Sequence, residues 1–129
     1  MVKWKPDTKF RAFVKKWLIE YRNMIFAREY KLTIDYLDED KNKVMISVDL
    51  KYLTIHVEVF KPIEILWKKK KYEDLKETLL HEICHILTEP MYDLQVELIN
   101  GNSIHNNTIE ETRERQTQRI ANVINNLIK

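Results

Sequence analysis

The sequence predicts a small α+β domain, and three observations support this fold class. A helical spacing of apolar residues fills the N-terminal part, three segments of alternating apolar and polar residues follow, and two helical patterns complete the chain. The chain has 129 residues, of which 44% are hydrophobic and 33% charged, with a single glycine. A chain of this length buries about two-thirds of its unfolded surface, which is enough for one core. We therefore predict one domain over residues 1–129.

The first predicted element is an amphipathic helix from residue 7 to about residue 30. Its apolar residues recur at intervals of three and four, which places them on one side of a helix. Lysine and arginine occupy the other side, as is typical of a solvated helix face. The positions expected to be buried are Phe10, Val14, Trp17, Leu18, Tyr21, Ile25 and Phe26.

Three strands are predicted next, at residues 32–36, 44–48 and 52–60. The first two are separated by the polar turn 38–42, and Pro62 ends the third before a short helix at 63–67. In the third strand the apolar residues alternate, which places them on one face. These residues are Leu53, Ile55, Val57 and Val59. His56 lies on the opposite face of the same strand, so we interpret it as a surface histidine and not as a metal ligand.

A second long helix is predicted over residues 72–87. The segment contains neither glycine nor proline, begins with acidic residues and is expected to stop before Pro90. Its apolar stripe consists of Leu75, Leu79, Ile83, Ile86 and Leu87. The neighbouring stripe is polar and includes Thr78, His81, Cys84, His85 and Thr88. One face can therefore anchor the helix while the other is available to hold a metal ion.

This helix carries the pattern HExxH at residues 81–85. His81 and His85 project from the same helix face one turn apart, so both can bind a single metal ion. Glu82 would lie beside that ion, where its carboxylate can take a proton from a metal-bound water. Two histidines and a glutamate in this arrangement are typical of zinc metallopeptidases.

A catalytic zinc ion needs a third protein ligand. The metzincin extension would place glycine at position 88 and histidine at position 91, but the chain has Thr88 and Met91 there, which excludes that class. His105 is a candidate in a polar stretch. A third helix at residues 108–127 offers three glutamates: Glu110, Glu111 and Glu114.

The last helix is expected to begin at Thr108, which can form a capping box with Glu111. Its buried side would consist of Ile109, Ile120, Val123, Ile124 and Leu127, interrupted by Arg113, Gln116 and Thr117. Such polar interruptions suggest that this part of the helix faces a site. Glu110 lies in line with Thr117, whereas Glu111 points toward solvent, so Glu110 is the preferred third ligand.

HEICH at residues 81–85, followed by a helix with EETRER at 110–115, resembles the gluzincin pattern of zinc metallopeptidases. The small size and the order of elements are similar to those of minigluzincins and of metallopeptidases encoded by phages and prophages. This resemblance implies a zincin-like fold, zinc as cofactor, and a peptide or protein as substrate. It makes His81, His85 and Glu110 the ligands, Glu82 the general base and Glu114 an acid that supports a motif histidine. By the same analogy, the strand at 52–60 would be the sheet edge that binds substrate.

Hydropathy and cysteine content predict the compartment of the protein. No apolar run approaches the roughly 20 residues needed to span a bilayer, and the N-terminus lacks the apolar core of a signal peptide. The single cysteine, Cys84, fits a reducing compartment and is expected to pack in the core, so we predict a cytoplasmic location. His105 and Tyr92 are candidates for stabilising an oxyanion.

The net charge of +2 does not indicate a general nucleic-acid binder, but the run Lys68–Lys71 is a candidate docking surface for an anionic partner. Two other functions therefore remain open. One is a zinc-binding regulatory module without catalysis. The other is a nucleic-acid-associated protein that uses its lysine-rich surfaces.

Overall fold

The computed structural model of the chain describes residues 4–98 and 103–128, with side chains described for residues 4–90 and 109–128. The elements are α1 (Thr8–Met24), β1 (Lys31–Leu37), β2 (Val44–Asp49), β3 (Thr54–Phe60), α2 (Ile63–Lys68), α3 (Tyr72–Leu98) and α4 (Ser103–Leu127). Within these described residues, the four helices and one mixed three-stranded sheet confirm the predicted α+β class.

Helix α1 begins where the sequence predicts and ends earlier. Asp7 caps it, because its Oδ1 atom accepts hydrogen bonds from the backbone N–H groups of Lys9 at 2.7 Å and Phe10 at 3.4 Å. The helix ends at Met24, and Phe26 adopts a left-handed conformation with φ of 61°. The prediction of a helix to residue 30 is therefore wrong.

The buried side of α1 is correspondingly shorter than predicted. Four of the predicted positions are buried: Phe10, Val14, Leu18 and Tyr21. Trp17 and Ile25 are half-buried, and Phe26 is 89% exposed. Because the left-handed turn follows the last helical residue, the spacing that places a side chain on the core face no longer holds beyond it.

The sheet has the strand order β1-β3-β2, with β1 parallel and β2 antiparallel to β3. The predicted alternation in β3 is confirmed, because Ile55, Val57 and Val59 are fully buried. Leu53 lies outside the strand, has a positive φ of 52° and is 40% exposed. The prediction that residues 52–60 form an edge is wrong, since β3 is central and paired on both sides. Hydrophobic alternation identifies a strand but does not fix its order in the sheet.

Helix α3 contains Pro90 and continues to Leu98, so the prediction that it stops before the proline is wrong. Proline removes one backbone hydrogen bond and disfavours the helix locally. Just before Pro90, Thr88 and Glu89 contact Thr117 and Arg113 of α4, and these contacts hold this part of α3 in place. On the predicted apolar stripe, Leu75, Leu79, Ile83 and Ile86 are buried, whereas Leu87 is 47% exposed.

The chain forms two compact units whose boundary falls inside α3, between Ile83 and Cys84. The first unit contains α1, the sheet, α2 and the beginning of α3. The second contains the remainder of α3 and α4. The boundary falls inside α3, and the expectation of a single domain stays a prediction.

Helix α4 begins at Ser103, so Thr108 lies inside it and the predicted capping box is wrong. From residue 109 onward, where its side chains are described, the buried positions are Ile109, Thr117 and Ala121. Two predicted core residues of this helix are exposed: Val123 at 57% and Leu127 at 78%. The buried side that the apolar residues predict is therefore partly wrong. Polar contacts to α3 help to fix the rotation of α4 about its own axis.

Candidate metal centre

Two histidines of α3 and one glutamate of α4 form the candidate centre. His85 is 5% exposed and His81, on the same continuous helix, precedes it by one turn. The third member is Glu114, whose side chain is 46% exposed. Each of the three residues offers one ligand atom, and these atoms all lie within 4.8 Å of one another. Within the described part of the chain, this is the only cluster of its kind.

The two ring nitrogens of His85 face different partners. Its Nε2 atom lies 3.4 Å from Oε1 of Glu114, and its Nδ1 atom lies 3.3 Å from Oε1 of Glu89. The hydroxyl oxygen of Thr117 is 3.5 Å from the same Nδ1 atom. A carboxylate can only accept a hydrogen bond, so without a metal ion each acid favours a proton on the ring nitrogen that it faces. A metal ion bound to Nε2 would leave the ring proton on Nδ1, where it can be donated to Glu89.

Glu89 is itself held by Arg113, whose Nη1 atom donates to Oε1 of Glu89 at 3.2 Å. The side chains of Glu89 and Arg113 are 17% and 18% exposed, so water competes little with this ion pair. The other terminal nitrogen of Arg113 lies 3.5 Å from Glu114 and 3.6 Å from Glu110. The Arg113 guanidinium group therefore contacts both Glu89, which lies beside Nδ1 of His85, and Glu114, which lies beside Nε2.

Two threonines complete the contacts between α3 and α4 at this level. The hydroxyls of Thr88 and Thr117 are 2.9 Å apart, and the Thr117 hydroxyl donates to the backbone carbonyl of Arg113 at 2.8 Å. Both threonines are buried. Because buried hydroxyls without partners are costly, this pairing fixes the position of α4 along α3 at Thr117, one helical turn from Glu114.

The donor set fits a zinc ion. Two imidazole nitrogens and one carboxylate oxygen are a ligand set of catalytic zinc sites, which keep the fourth position for water. Ligand atoms bound tetrahedrally at about 2.1 Å lie roughly 3.4 Å apart. The separation of 3.4 Å between His85 Nε2 and Glu114 Oε1 matches that spacing. The same donors also suit ferrous iron, so metal content should be measured for both ions.

The predicted third ligand, Glu110, is not part of the three-residue cluster. Its side chain is 58% exposed, and its Oε1 atom lies 3.6 Å from Arg113. Glu111 is also exposed and lines a shallow surface recess of about 470 Å³ together with Glu110, Glu114 and Arg115. The geometry favours Glu114 as the third ligand, while Glu110 stays a prediction that metal binding can test. The other candidates, His105 and Tyr92, have side chains outside the described residues.

Glu82, the predicted general base, follows His81 on α3 and is half-buried. Glu89 was missed by sequence reasoning, although a signal for it exists. It follows His85 by four residues and therefore shares its helix face. Thr117 gave a clearer signal, because it is a polar residue within an otherwise apolar stripe.

The remaining metal-ligand candidates lie elsewhere. Cys84 is fully buried and outside the cluster, and burial raises the pKa of its thiol from 9.0 to about 12, which agrees with the predicted packing role. His56 lies in the sheet, with Nδ1 at 2.8 Å from the Thr33 hydroxyl and Nε2 at 3.2 Å from Oδ2 of Asp35. Its side chain is 40% exposed, as expected for a histidine on the solvated face.

Comparisons with protein-family models, curated proteins and solved structures gave no match for this chain. The resemblance to gluzincins therefore rests on the residues of the motif and stays a prediction. None of the helices in the described part of the chain is long and apolar enough to cross a bilayer.

Proposed function

We propose that this protein is a zinc-dependent peptidase. The observation that carries the proposal is the convergence of His81, His85 and Glu114, whose ligand atoms lie within 4.8 Å of one another. Glu82 directly follows the first histidine, and a site that only stores metal has no need of a carboxylate at that position. The motif places the two histidines on one helix face, and the spatial cluster adds a third ligand from α4.

His81, His85 and Glu114 would hold the metal. A bound zinc ion would lower the pKa of a coordinated water and polarise the scissile carbonyl. Glu82 would accept the proton that this water loses and deliver it to the departing amine, as a general base and then a general acid. Glu89 would keep the proton of His85 on Nδ1, and Arg113 would keep Glu89 in position.

The proposed ligand set differs from the one that the family resemblance implies in its third member. Glu110 and Glu114 are one turn apart on the same face of α4. The two assignments therefore differ in the position of α4 along α3, by about one helical turn. The 3.4 Å contact between Glu114 and His85 favours Glu114. In this assignment Glu89, not Glu114, supports the motif histidine.

Metal content and peptide cleavage test the proposal together. We would purify the wild-type protein with His81→Ala, Glu82→Gln, Glu110→Gln and Glu114→Gln, and use Glu111→Gln as a matched control on the same helix. Metal content is measured by mass spectrometry for zinc and iron, and cleavage with a peptide library. We expect stoichiometric zinc in the wild type, loss of metal in His81→Ala and Glu114→Gln, and full metal content without cleavage in Glu82→Gln.

Other outcomes lead to other conclusions. Retention of metal in Glu114→Gln and its loss in Glu110→Gln would restore Glu110 as the third ligand. Zinc without cleavage by the wild type would favour a regulatory zinc-binding module, and the absence of metal after purification with zinc would contradict the proposal. A role in nucleic-acid binding through Lys68–Lys71 has less support, because Lys68 already pairs with Glu64 at 3.1 Å.

A further inference from the structure

A groove of about 830 Å³ lies between α1 and β1, within the first unit of the chain. None of the candidate metal ligands lines it. Its walls come from one side of α1, from the turn before β1 and from β1 itself. The groove therefore requires an explanation of its own, separate from the proposed peptidase site.

The charge of the groove is strongly unbalanced. Glu29 is its single lining carboxylate, against five cationic side chains: Arg11, Lys15, Arg22, Arg28 and Lys31. None of these five forms a salt bridge with another side chain in the ranges 4–90 and 109–128. The Nε atom of Arg11 is buried and makes no hydrogen bond within the described part of the chain. The hydrogen bonds that Arg11 and Arg22 make within the described residues go to uncharged acceptors, namely the Thr8 hydroxyl, the Asn23 side chain and the Tyr30 carbonyl. Because no described carboxylate forms an ion pair with these cations, the groove favours an anionic ligand.

Apolar side chains lie among these cations. Ala12 and Ile19 of α1 and Leu32 and Ile34 of β1 line the same groove. Leu32 and Ile34 are half-buried. A ligand that fills the groove would thus need apolar groups as well as negative charge.

The backbone of β1 supplies a third feature. β1 is an edge strand of the sheet. The backbone groups of Lys31 and Leu37 point toward the β3 side, because the Lys31 N–H donates to the Leu53 carbonyl and the Leu37 carbonyl accepts from the Lys61 N–H. Because backbone groups alternate in direction along a strand, those of Leu32 and Ile34 point away from β3. The outward direction is also seen at Tyr36, whose carbonyl accepts from Trp4 at 3.1 Å. Leu32 and Ile34 therefore present backbone donors and acceptors toward the groove.

We propose that this groove binds an extended acidic segment of a partner protein, which adds to the sheet as a strand beside β1. Backbone hydrogen bonds to Leu32 and Ile34 would hold the segment, its apolar side chains would contact the apolar residues of the groove, and its carboxylates would pair with the cations. This binding site does not depend on the metal centre. A nucleic acid could satisfy the cations, but it would leave the strand edge and the apolar lining without partners, so the peptide fits the observations better.

The probe for the first test is a fluorescent synthetic peptide in which glutamate and valine alternate, titrated with the full-length protein and followed by fluorescence anisotropy. We expect Arg28→Glu with Lys31→Glu to weaken binding by roughly tenfold, because two exposed attractive pairs become repulsive. The matched control, Lys43→Glu with Lys69→Glu, makes the same change of charge outside the groove and should bind as the wild type does.

Two further probes separate the alternatives. A peptide with N-methyl groups on alternate backbone nitrogens keeps its charge but cannot add as a strand, and it should bind far more weakly. Oligothymidylate carries charge without the peptide backbone and should also bind weakly. Absence of binding by the alternating peptide, equal binding by either probe, or equal loss in the control variant would each overturn the proposal.

Amide hydrogen exchange gives a readout in the unmodified protein. On addition of the alternating peptide, the amides of Leu32 and Ile34 should exchange more slowly, whereas that of Thr33, which points toward β3, should change little. Unchanged exchange at Leu32 and Ile34 with saturating peptide would refute strand addition even if the peptide binds.

Discussion

Removing the charge of Glu89 gives a sharp test of how the candidate metal centre is organised. Oε1 of Glu89 lies 3.3 Å from Nδ1 of His85 and 3.2 Å from Nη1 of Arg113. In Glu89→Gln, an amide oxygen of the same size can still accept both hydrogen bonds, but without negative charge. In Glu89→Ala, both contacts are lost and the Arg113 guanidinium keeps only its longer contacts to Glu110 and Glu114.

The magnitude follows from the burial of these groups. The side chains of His85, Glu89 and Arg113 are 6%, 17% and 18% exposed, so solvent weakens their interactions little. A hydrogen bond to a charged group contributes about 1.5–3 kcal/mol and a neutral one about 0.5–1.5 kcal/mol, so each contact of Glu89→Gln loses on the order of 1 kcal/mol. At His85 this loss corresponds to roughly fivefold weaker metal binding. For Glu89→Ala we expect up to about 100-fold weaker binding, as for other residues that orient a metal-bound histidine.

Metal affinity is measured by competition with a chromophoric zinc chelator, and the free energy of unfolding by urea denaturation in the presence of EDTA. Loss of the contact between Glu89 and His85 should weaken zinc binding strongly, whereas loss of the contact between Glu89 and Arg113 should not. Measuring zinc affinity and the free energy of unfolding separately therefore distinguishes the two contacts. Glu111→Gln removes an exposed carboxylate and should leave both quantities unchanged. Zinc affinity within about twofold of the wild type in both Glu89 variants, with binding abolished in His81→Ala, would refute the proposed role of Glu89.

Three further predictions concern stability and reactivity. Asp7→Ala removes the cap of α1 and should lower the free energy of unfolding by about 0.5–2 kcal/mol in urea denaturation, whereas Asp7→Asn should keep most of it. Ile55→Ala in the central strand should cost about 2–5 kcal/mol, while Leu127→Ala, 78% exposed, should change stability by less than about 0.5 kcal/mol; equal effects would contradict the described burial. Burial raises the pKa of Cys84 from 9.0 to about 12 and that of Tyr21 from 10.0 to about 12. Because the unfolded chain loses these protons at lower pH than the folded chain, the free energy of unfolding should fall as pH rises from about 9 toward 12. Cys84 should accordingly resist a thiol reagent until the protein unfolds, and rapid labelling of the folded protein would show that the thiol is accessible.

The sequence by itself determined the features that depend on local periodicity. The spacing of His81 and His85 places them on one helix face whatever surrounds the helix, because an α-helix brings residues four apart into line. The alternation of Ile55, Val57 and Val59 likewise identified a strand with one buried face. The α+β class followed from these patterns, since each period belongs to one kind of element.

The tertiary structure decided what depends on how elements meet. Strand order placed β3 in the centre of the sheet, and α3 continues as a helix past Pro90, with contacts to α4 at Thr88 and Glu89. Glu110 and Glu114 share one face of α4, so no periodic pattern separates them. The buried pairing of Thr88 with Thr117 sets the height of α4 along α3, and this height brings Glu114 opposite His85. Helical periodicity fixes the direction of a side chain around its own axis, but only packing fixes its position along a neighbouring helix.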